Sequence, residues 1–242
     1  MKHRFRCRCS RPIAVVMGLL VILSSLHAAP AEVEAAMYSR YIWRGFDLNP
    51  QNKRVFQPSL TFPVGNRGFS VNLWGSFSLA DRDLDELDLT LSWRFSAGED
   101  FYVTVGAVQY GWYFARDFTW KDHTSRELFI TLEKDIRGFS PEFSLFWDFA
   151  NGSGLYARLG ISHTSELCCG TSLEISAALG YNHRQWIKGS GFSDLDLGIS
   201  APWRLYRVTI TPTAHLCVIL MDEINPGTKV EVWGGIAVNW DA

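Results

Sequence analysis

The chain has 242 residues with 23 basic and 25 acidic side chains, a formal net charge of −2, and a content of 47% hydrophobic and 14% aromatic residues. The basic residues form no clustered patch, which excludes the electrostatic footprint of a nucleic-acid-binding protein. No run of about 18 apolar residues follows the first 31 residues, so the remaining chain is not a bundle of transmembrane helices.

The first 31 residues have the composition of a signal peptide. Five basic residues precede an uncharged apolar stretch from Ile13 to Leu26, and small residues follow it up to Ala31. Because this stretch is shorter than the roughly 20 residues of a membrane-spanning helix, we predict a cleaved signal peptide over residues 1–31 and not a retained anchor. Cleavage removes five of the 23 basic residues and no acidic residue, which leaves 18 basic and 25 acidic residues.

An alternating pattern dominates the remaining chain and is clearest between Glu86 and Ser96, where apolar and polar residues alternate without a break. Such alternation gathers the apolar side chains on one face of a β-strand, whereas a helix would scatter them around its circumference. The pattern predicts twelve strands, which lie near residues 34–46, 54–62, 68–79, 86–96, 100–113, 125–134, 141–149, 154–163, 171–183, 193–201, 204–216 and 229–240.

The polar face of these strands indicates a membrane barrel. In a soluble sheet this face meets bulk water and commonly carries lysine, yet the five lysines after residue 31 all fall at predicted strand ends or in connections. Most strands are also close to the ~9–11 residues that cross a bilayer at a tilt. We therefore predict an all-β fold in which residues 32–242 form a single closed antiparallel transmembrane barrel of twelve strands in the outer membrane, with its apolar face in lipid.

Aromatic residues near the strand ends support this orientation, because girdles of Trp and Tyr mark both interfaces of outer-membrane barrels. The residues assigned to these girdles are Tyr41, Trp43, Tyr110, Trp112, Trp203 and Trp240. The alternative interpretation is a soluble β-sandwich with a core rich in aromatic residues.

The strand count also predicts which connections face outside. With both termini in the periplasm, the odd-numbered connections are extracellular, and bacterial barrels have their longer loops there. The connections near residues 80–85, 114–124, 184–192 and 217–228 are odd-numbered, whereas the short ones near 97–99 and 202–203 are even-numbered. On this count the vicinal pair Cys168 and Cys169 faces the periplasm.

The same strand parity turns ten acidic residues and four arginines towards the lumen. They are Glu86, Asp88, Glu127, Glu133, Glu142, Asp148, Glu174, Asp194, Asp196 and Glu231, together with Arg40, Arg44, Arg94 and Arg158. A dry lumen would require nearly one basic partner for each acid, because an unpaired buried carboxylate is costly. One interpretation is a hydrated, negatively charged lumen that favours cations. The other is a structural network of ion pairs, with the remaining acids at the barrel mouths.

A longer segment carries a family resemblance. The run Tyr38-Ser39-Arg40-Tyr41-Ile42-Trp43-Arg44-Gly45-Phe46, with Gln57-Pro58, Trp74-Gly75-Ser76 and Glu86-Leu87-Asp88, resembles the bacterial family known as Gcw_chp. The resemblance continues more loosely through Glu127-Leu128 and Trp147-Asp148, and so covers most of the chain after residue 31. This family comprises exported proteins regarded as outer-membrane barrels of unassigned activity. The resemblance therefore implies the barrel and supplies no catalytic or binding residues.

Two short motifs suggest ligand binding but fit a structural role better. The glycine spacing of residues 152–157 matches a dinucleotide-binding loop, yet an alternating strand follows it where that loop requires a helix, so we predict a hairpin connection. Asp81, Asp83, Asp85 and Glu86 resemble a calcium-binding run without the glycine and distal glutamate of an EF-hand. A solvated acidic loop is the expected reading, and divalent-cation bridging to lipopolysaccharide is the alternative.

No catalytic or metal-binding pattern is evident. A Gly-x-Ser-x-Gly elbow does not occur, and the histidines after residue 31 have neither HExxH nor CxxC spacing. These histidines are His123, His163, His183 and His215. We therefore predict no catalytic, cofactor-binding or metal-binding residues, no cofactor and no enzymatic activity.

Two functions remain open. The barrel is either a narrow channel or transporter for small, cationic solutes, or a non-conducting structural or surface barrel whose extracellular loops bind a partner. Strand number does not separate the two, because about eight strands fill their own interior and about sixteen leave a water channel. The partners expected in either case are outer-membrane lipid, lipopolysaccharide and the barrel-assembly machinery, with no nucleic acid.

Overall fold

The computed structural model describes residues 31–49, 53–111, 124–168 and 170–241. The predicted signal peptide lies outside the described residues except for Ala31. Three residues named above also lie outside them, namely Trp112, His123 and Cys169. No helix within the described ranges is long and apolar enough to cross a membrane. The strands are β1 (Glu32–Tyr38), β2 (Ile42–Trp43), β3 (Phe46–Asp47), β4 (Val55–Val64), β5 (Phe69–Ser78), β6 (Asp83–Gly98), β7 (Phe101–Gly111), β8 (Thr124–Lys134), β9 (Phe139–Asp148), β10 (Gly154–Cys168), β11 (Thr171–His183), β12 (Ser190–Ser200), β13 (Trp203–Leu205), β14 (Val208–Ile219) and β15 (Val230–Asp241).

Twelve strand positions form one closed antiparallel barrel, as the sequence predicts. Consecutive strands from β4 to β12 pair with each other, β12 pairs with β14, and β14 pairs with β15. β1 pairs with both β15 and β4, which closes the ring. The short β13 pairs with β14 and also with β11, at Thr171. β12 and β13 therefore act together as one of the twelve strands of the barrel, which is interrupted at Ala201 and Pro202. Pro202 has no N–H to donate to a ladder, which accounts for the interruption.

The two faces of the barrel wall differ as strand alternation requires. On β6, Leu89, Leu91 and Trp93 are exposed, whereas Glu86 and Asp88 on the opposite parity are buried. The barrel therefore presents an apolar outer surface and a polar inner surface, the arrangement that a bilayer imposes on closed β-sheets.

The first strand is shorter than predicted. β1 ends at Tyr38 instead of continuing to residue 46, and residues 39–49 turn into the lumen. We call residues 39–49 the plug segment. Within it, β2 and β3 form a hairpin whose two turn residues, Arg44 and Gly45, have φ angles of 51° and 84°. Positive φ at both central positions is the signature of a type I′ turn, the preferred connection of a tight hairpin.

The inward turn also corrects part of the aromatic-girdle prediction. Trp203 and Trp240 are exposed on the outer surface, in agreement with an interfacial position. Tyr41, Trp43 and Tyr110 lie inside the barrel instead, because the first two belong to the plug segment and Tyr110 projects inwards from β7 against Trp43.

The connections at the two ends differ in length. We call the end that holds residues 32 and 241 the terminal end, and the opposite end the loop end. The connections at residues 39–54, 79–82, 149–153, 184–189 and 220–229 are at the loop end, while the terminal end has those at 65–68, 99–100 and 135–138. Residues 112–123, which include most of the predicted connection near 114–124, lie outside the described residues. The longest of these connections are on the odd-numbered side, as predicted, whereas 79–82 is as short as 65–68. Gly152 and Ser153 lie in a hairpin connection, as predicted, and Gly154 is the first residue of β10.

The exposed apolar wall leads to the first prediction. The protein should fractionate with outer membranes and migrate faster on a gel before boiling than after it, because a closed ladder resists detergent until heated. Cell fractionation and gel electrophoresis with and without boiling check both points. Recovery as a soluble periplasmic protein would contradict the outer-membrane assignment.

Candidate functional site

The plug segment packs its apolar side against a small hydrophobic cluster at the loop end. Cys217, Ile219 and Ile224 form the buried part of this cluster, and Ile42 and Phe46 of the plug segment pack against it. Gly45 is required at the tip of the hairpin, since a Cβ there would lie 2.9 Å from Ile224 Cγ2 and its φ is positive. The hairpin therefore fits the cluster only with glycine at this position.

Arg44 carries the polar contacts of the plug segment. Its Nη1 and Nη2 atoms donate hydrogen bonds to the two carboxylate oxygens of Glu127, at 2.7 and 2.9 Å. Nη1 also donates to Oε1 of Gln185 at 2.7 Å. Such a two-pronged pairing of guanidinium and carboxylate is stronger and more directional than a single charged hydrogen bond.

The Glu127 carboxylate is fully buried and fully partnered. Besides Arg44, it accepts hydrogen bonds from the Tyr110 hydroxyl at 2.9 Å and from Nε2 of Gln185 at 2.8 Å. The Glu127 side chain is 0% exposed and that of Arg44 is 8% exposed. Because a buried charge is costly unless it is paired and hydrogen-bonded, Glu127 depends on Arg44 as its counter-charge.

Three aromatic rings enclose the Arg44 guanidinium. Its Cζ atom lies 4.1 Å from the ring centre of Phe146, 4.4 Å from that of Trp43 and 4.7 Å from that of Tyr156. These distances are within the range of cation–π attraction, which is stronger in a desolvated site. We call Glu127, Gln185, Phe146 and Tyr156, which belong to the barrel wall and its β11–β12 connection, the guanidinium cage.

The cage is held in place by further hydrogen bonds that do not involve Arg44. The buried side chain of Asn182 accepts a hydrogen bond from the Gln185 backbone N–H at 2.9 Å and donates one to the Gln185 carbonyl at 3.1 Å. The Tyr156 hydroxyl donates to the Asp194 carboxylate at 3.2 Å. Both cage residues are thereby oriented by the barrel.

Other plug residues contact the opposite wall. The Tyr41 hydroxyl donates to Glu86 at 2.9 Å, and Arg40 pairs with Glu231. Burial of Tyr41, together with the nearby charges of Glu86 and Asp88, raises its pKa well above the usual value, so the phenol remains a donor. The plug segment thus contacts strands on nearly every side of the barrel and fills the lumen at the loop end.

The charged residues that the sequence predicts to face the lumen fall into two groups in the structure. Six acids at the loop end are buried, namely Glu86, Asp88, Glu127, Asp148, Asp194 and Glu231. The second group lies nearer the terminal end and is partly exposed to water, and it comprises Arg94, Glu133, Glu142, Arg158, Glu174 and Asp196.

Each of the four arginines is paired with a different acid. Besides the pairs of Arg40 and Arg44 in the plug segment, Arg94 pairs with Glu133, and Arg158 pairs with Glu142 at 3.0 Å. Asp196 is 2.9 Å from His215 Nδ1. Asp148 caps the 149–153 connection instead, because it accepts hydrogen bonds from Ser125 and from backbone N–H groups of that turn.

The acidic run at the β5–β6 connection does not converge on one point. Asp81 accepts hydrogen bonds from Lys53 at 2.7 Å and from Ser78 at 3.1 Å, which lower the pKa of this carboxyl group. Glu86 turns into the lumen and accepts the Tyr41 hydrogen bond. Across the described ranges, no group of three or more His, Cys, Asp or Glu side chains is arranged to hold a metal ion.

Most of the guanidinium cage could not be recognised from the sequence. Gln185, Phe146 and Tyr156 are uncharged, so the pattern of charged lumen residues does not include them. A local signal for the hairpin of the plug segment was present in Trp43-Arg44-Gly45-Phe46, since glycine at a central position with positive φ is typical of a two-residue hairpin turn.

Comparison with known proteins identifies the fold. No family model and no curated protein sequence matches the chain. Among solved structures, the KdgM porin has a TM-score of 0.58 at 7% identity, covering 87% of this chain and 99% of that one. The NanC porin has a TM-score of 0.54 at 10% identity, covering 88% and 100%. The chain has the closed barrel fold of these outer-membrane porins.

A third similar structure corrects the prediction that the protein has no enzymatic activity. LpxR from Salmonella typhimurium, an outer-membrane enzyme, has a TM-score of 0.52 at 9% identity and covers 87% of this chain and 100% of that one. Missing sequence motifs do not exclude activity, because this fold occurs in an enzyme as well as in porins. The barrel architecture therefore gives no ground for excluding catalysis.

The buried ion pair leads to the second prediction. The Arg44→Ala variant should lower the free energy of unfolding by about 3–5 kcal/mol, because it leaves the buried Glu127 carboxylate without its counter-charge. The matched change Arg94→Ala should cost about 0–1 kcal/mol, since the Arg94–Glu133 pair is exposed to water. Urea titration of the folded barrel in lipid vesicles, followed on a gel, measures both. Equal losses in the two variants would contradict the role assigned to Arg44.

Proposed function

We propose that the protein is an outer-membrane channel for small solutes that is closed in this conformation by the plug segment. The observation that carries this proposal is the contrast between the two halves of the lumen. At the loop end the plug segment packs against residues of the barrel wall, with Gly45 and Asn49 buried and Ile42 and Phe46 partly buried. Towards the terminal end the lumen is lined by polar side chains that water reaches.

The terminal half has the character of a solute path. A cavity of about 230 Å³ is lined there by Glu34, Glu174, Ser176, Thr213, His215 and Asn239, among others. A second cavity of about 370 Å³ lies directly against Trp43 and Arg44 of the plug segment. The plug segment is therefore the part of the described chain that separates these cavities from the loop end.

The charge of the lumen favours cations. Ten acidic residues were assigned to the lumen against four arginines, and each arginine is already paired with an acid. Rings of Asp and Glu attract cations and repel anions. A structure of the KdgM porin was determined in complex with oligogalacturonate, a polyanion, whereas we propose a preference for cations in the lumen of this barrel.

The alternative is a barrel that does not conduct and acts through its loops. The tight seating of the plug segment favours it, because the apolar cluster and the saturated Glu127 carboxylate stabilise the closed conformation. Conductance separates the two functions directly.

The third prediction concerns the closure. A variant in which a short Gly-Ser linker replaces residues 40–49 should conduct in a planar bilayer at several times the level of the wild type, because the loop end is then open. Arg44→Ala should open more often than the wild type, and Arg94→Ala should not. Single-channel recording measures all four proteins, after the gel-mobility shift on boiling has shown that each is folded. A folded linker variant without current would overturn the channel proposal in favour of the non-conducting barrel.

The fourth prediction concerns selectivity. The linker variant should give a cation-selective reversal potential in a salt gradient, and adding Glu174→Gln and Asp196→Asn should weaken this selectivity, since Glu174 lines the first cavity and Asp196 lines the second. Ser176→Ala, in the same cavity as Glu174, is the uncharged control and should leave the potential unchanged. Anion preference in the linker variant would contradict the assignment.

A further inference from the structure

The residues around Arg44 have the composition of a ligand-binding site. Glu127 and Gln185 accept three hydrogen bonds from the guanidinium group. The rings of Phe146 and Tyr156 lie against this group. Glu127 and Gln185 are 83 and 141 residues from Arg44 in the chain. The cage therefore belongs to the barrel, and Arg44 occupies it as a side chain that enters from another element.

The cage is organised independently of its occupant. Tyr110 and Gln185 donate to Glu127, Asn182 fixes the backbone of Gln185, and Tyr156 donates to Asp194. None of these hydrogen bonds includes an atom of the plug segment. When hydrogen bonds to other barrel residues already hold the side chains of a site in place, less side-chain entropy is lost on binding a ligand.

The chemistry of the cage selects a guanidinium over an ammonium ion. The two Glu127 oxygens match the parallel N–H groups of a planar fork, and two aromatic faces match its flat, weakly hydrated surfaces. A lysine-like ammonium is a compact, strongly hydrated charge that makes no two-pronged contact with a carboxylate. The pattern of acceptors and rings thus specifies the shape of the cation as well as its charge.

Space for the rest of a ligand is present beside the cage. The cavity of about 370 Å³ borders Phe146, Tyr156 and Arg44 and extends to Asp194 and Asp196. These two acids would add attraction for a cationic molecule in that cavity. Its volume falls in the lower part of the ~300–1,000 Å³ range of small-molecule pockets.

We infer that the guanidinium cage is a binding site for small solutes that carry a guanidinium group, and that Arg44 occupies this site in place of such a solute in the closed conformation. The inference extends the proposed function by naming a class of cation. Its binding step does not depend on conduction, so it is tested without measuring current.

The test is chemical rescue of the Arg44→Ala barrel by methylguanidinium, which reproduces the missing head group. Millimolar methylguanidinium should raise the unfolding midpoint of Arg44→Ala and recover more than half of the difference from the wild type. Methylammonium at the same concentration should not. The wild type and Arg94→Ala should not respond to methylguanidinium, because their cages are occupied.

A second variant tests whether the effect arises at the cage. Adding Glu127→Gln to Arg44→Ala removes the carboxylate while keeping the side-chain size, and it should abolish the response to methylguanidinium. If Arg44→Ala does not fold alone, methylguanidinium during refolding into vesicles should restore the fast-migrating band, and the double variant should not be restored. If methylguanidinium neither stabilises Arg44→Ala nor restores its folding, the inference is overturned. An equal effect of methylammonium would also overturn it. Both outcomes hold whatever the conductance measurements give.

Discussion

The requirement that a buried carboxylate be neutralised governs the loop end of this barrel. Glu127 has no exposed side-chain surface, and its two oxygens accept four hydrogen bonds, of which two come from the only positive charge that touches it in the described chain. Without that charge the buried carboxylate would lose its main stabilisation. The inward path of residues 39–49, the positive φ of Arg44 and the position of Gln185 all serve to complete this pairing.

Water access divides the ion pairs of the lumen into two kinds. The Arg44–Glu127 pair is dry, so each partner depends strongly on the other. The Arg94–Glu133 and Arg158–Glu142 pairs keep between about a third and a half of their side-chain surface exposed, and solvent screening weakens their attraction. Pairs of arginine and glutamate therefore stabilise a closed structure at the loop end, whereas towards the terminal end they form a hydrated surface.

The barrel wall could be predicted from the sequence because its signal is local. Each strand alternates with a period of two, so residues such as Leu89 and Leu91 reveal their face without knowledge of their neighbours. The plug segment could not be predicted in the same way. Its alternation continues that of β1 up to Phe46, and only the contacts of Arg44 with residues far along the chain show that it leaves the wall. The cage combines side chains from β8, β9, β10 and the β11–β12 connection, and no sequence pattern joins them.

The position of the plug segment next to β1 has a consequence for assembly. β1 completes the barrel by pairing with β15, and Glu127 and Gln185 follow Arg44 by 83 and 141 residues in the chain. Contacts of such long range form late, since the intervening chain must first be ordered. We therefore expect the lumen to stay unfilled while the wall is built, and Arg44 to enter its cage as one of the last steps of folding.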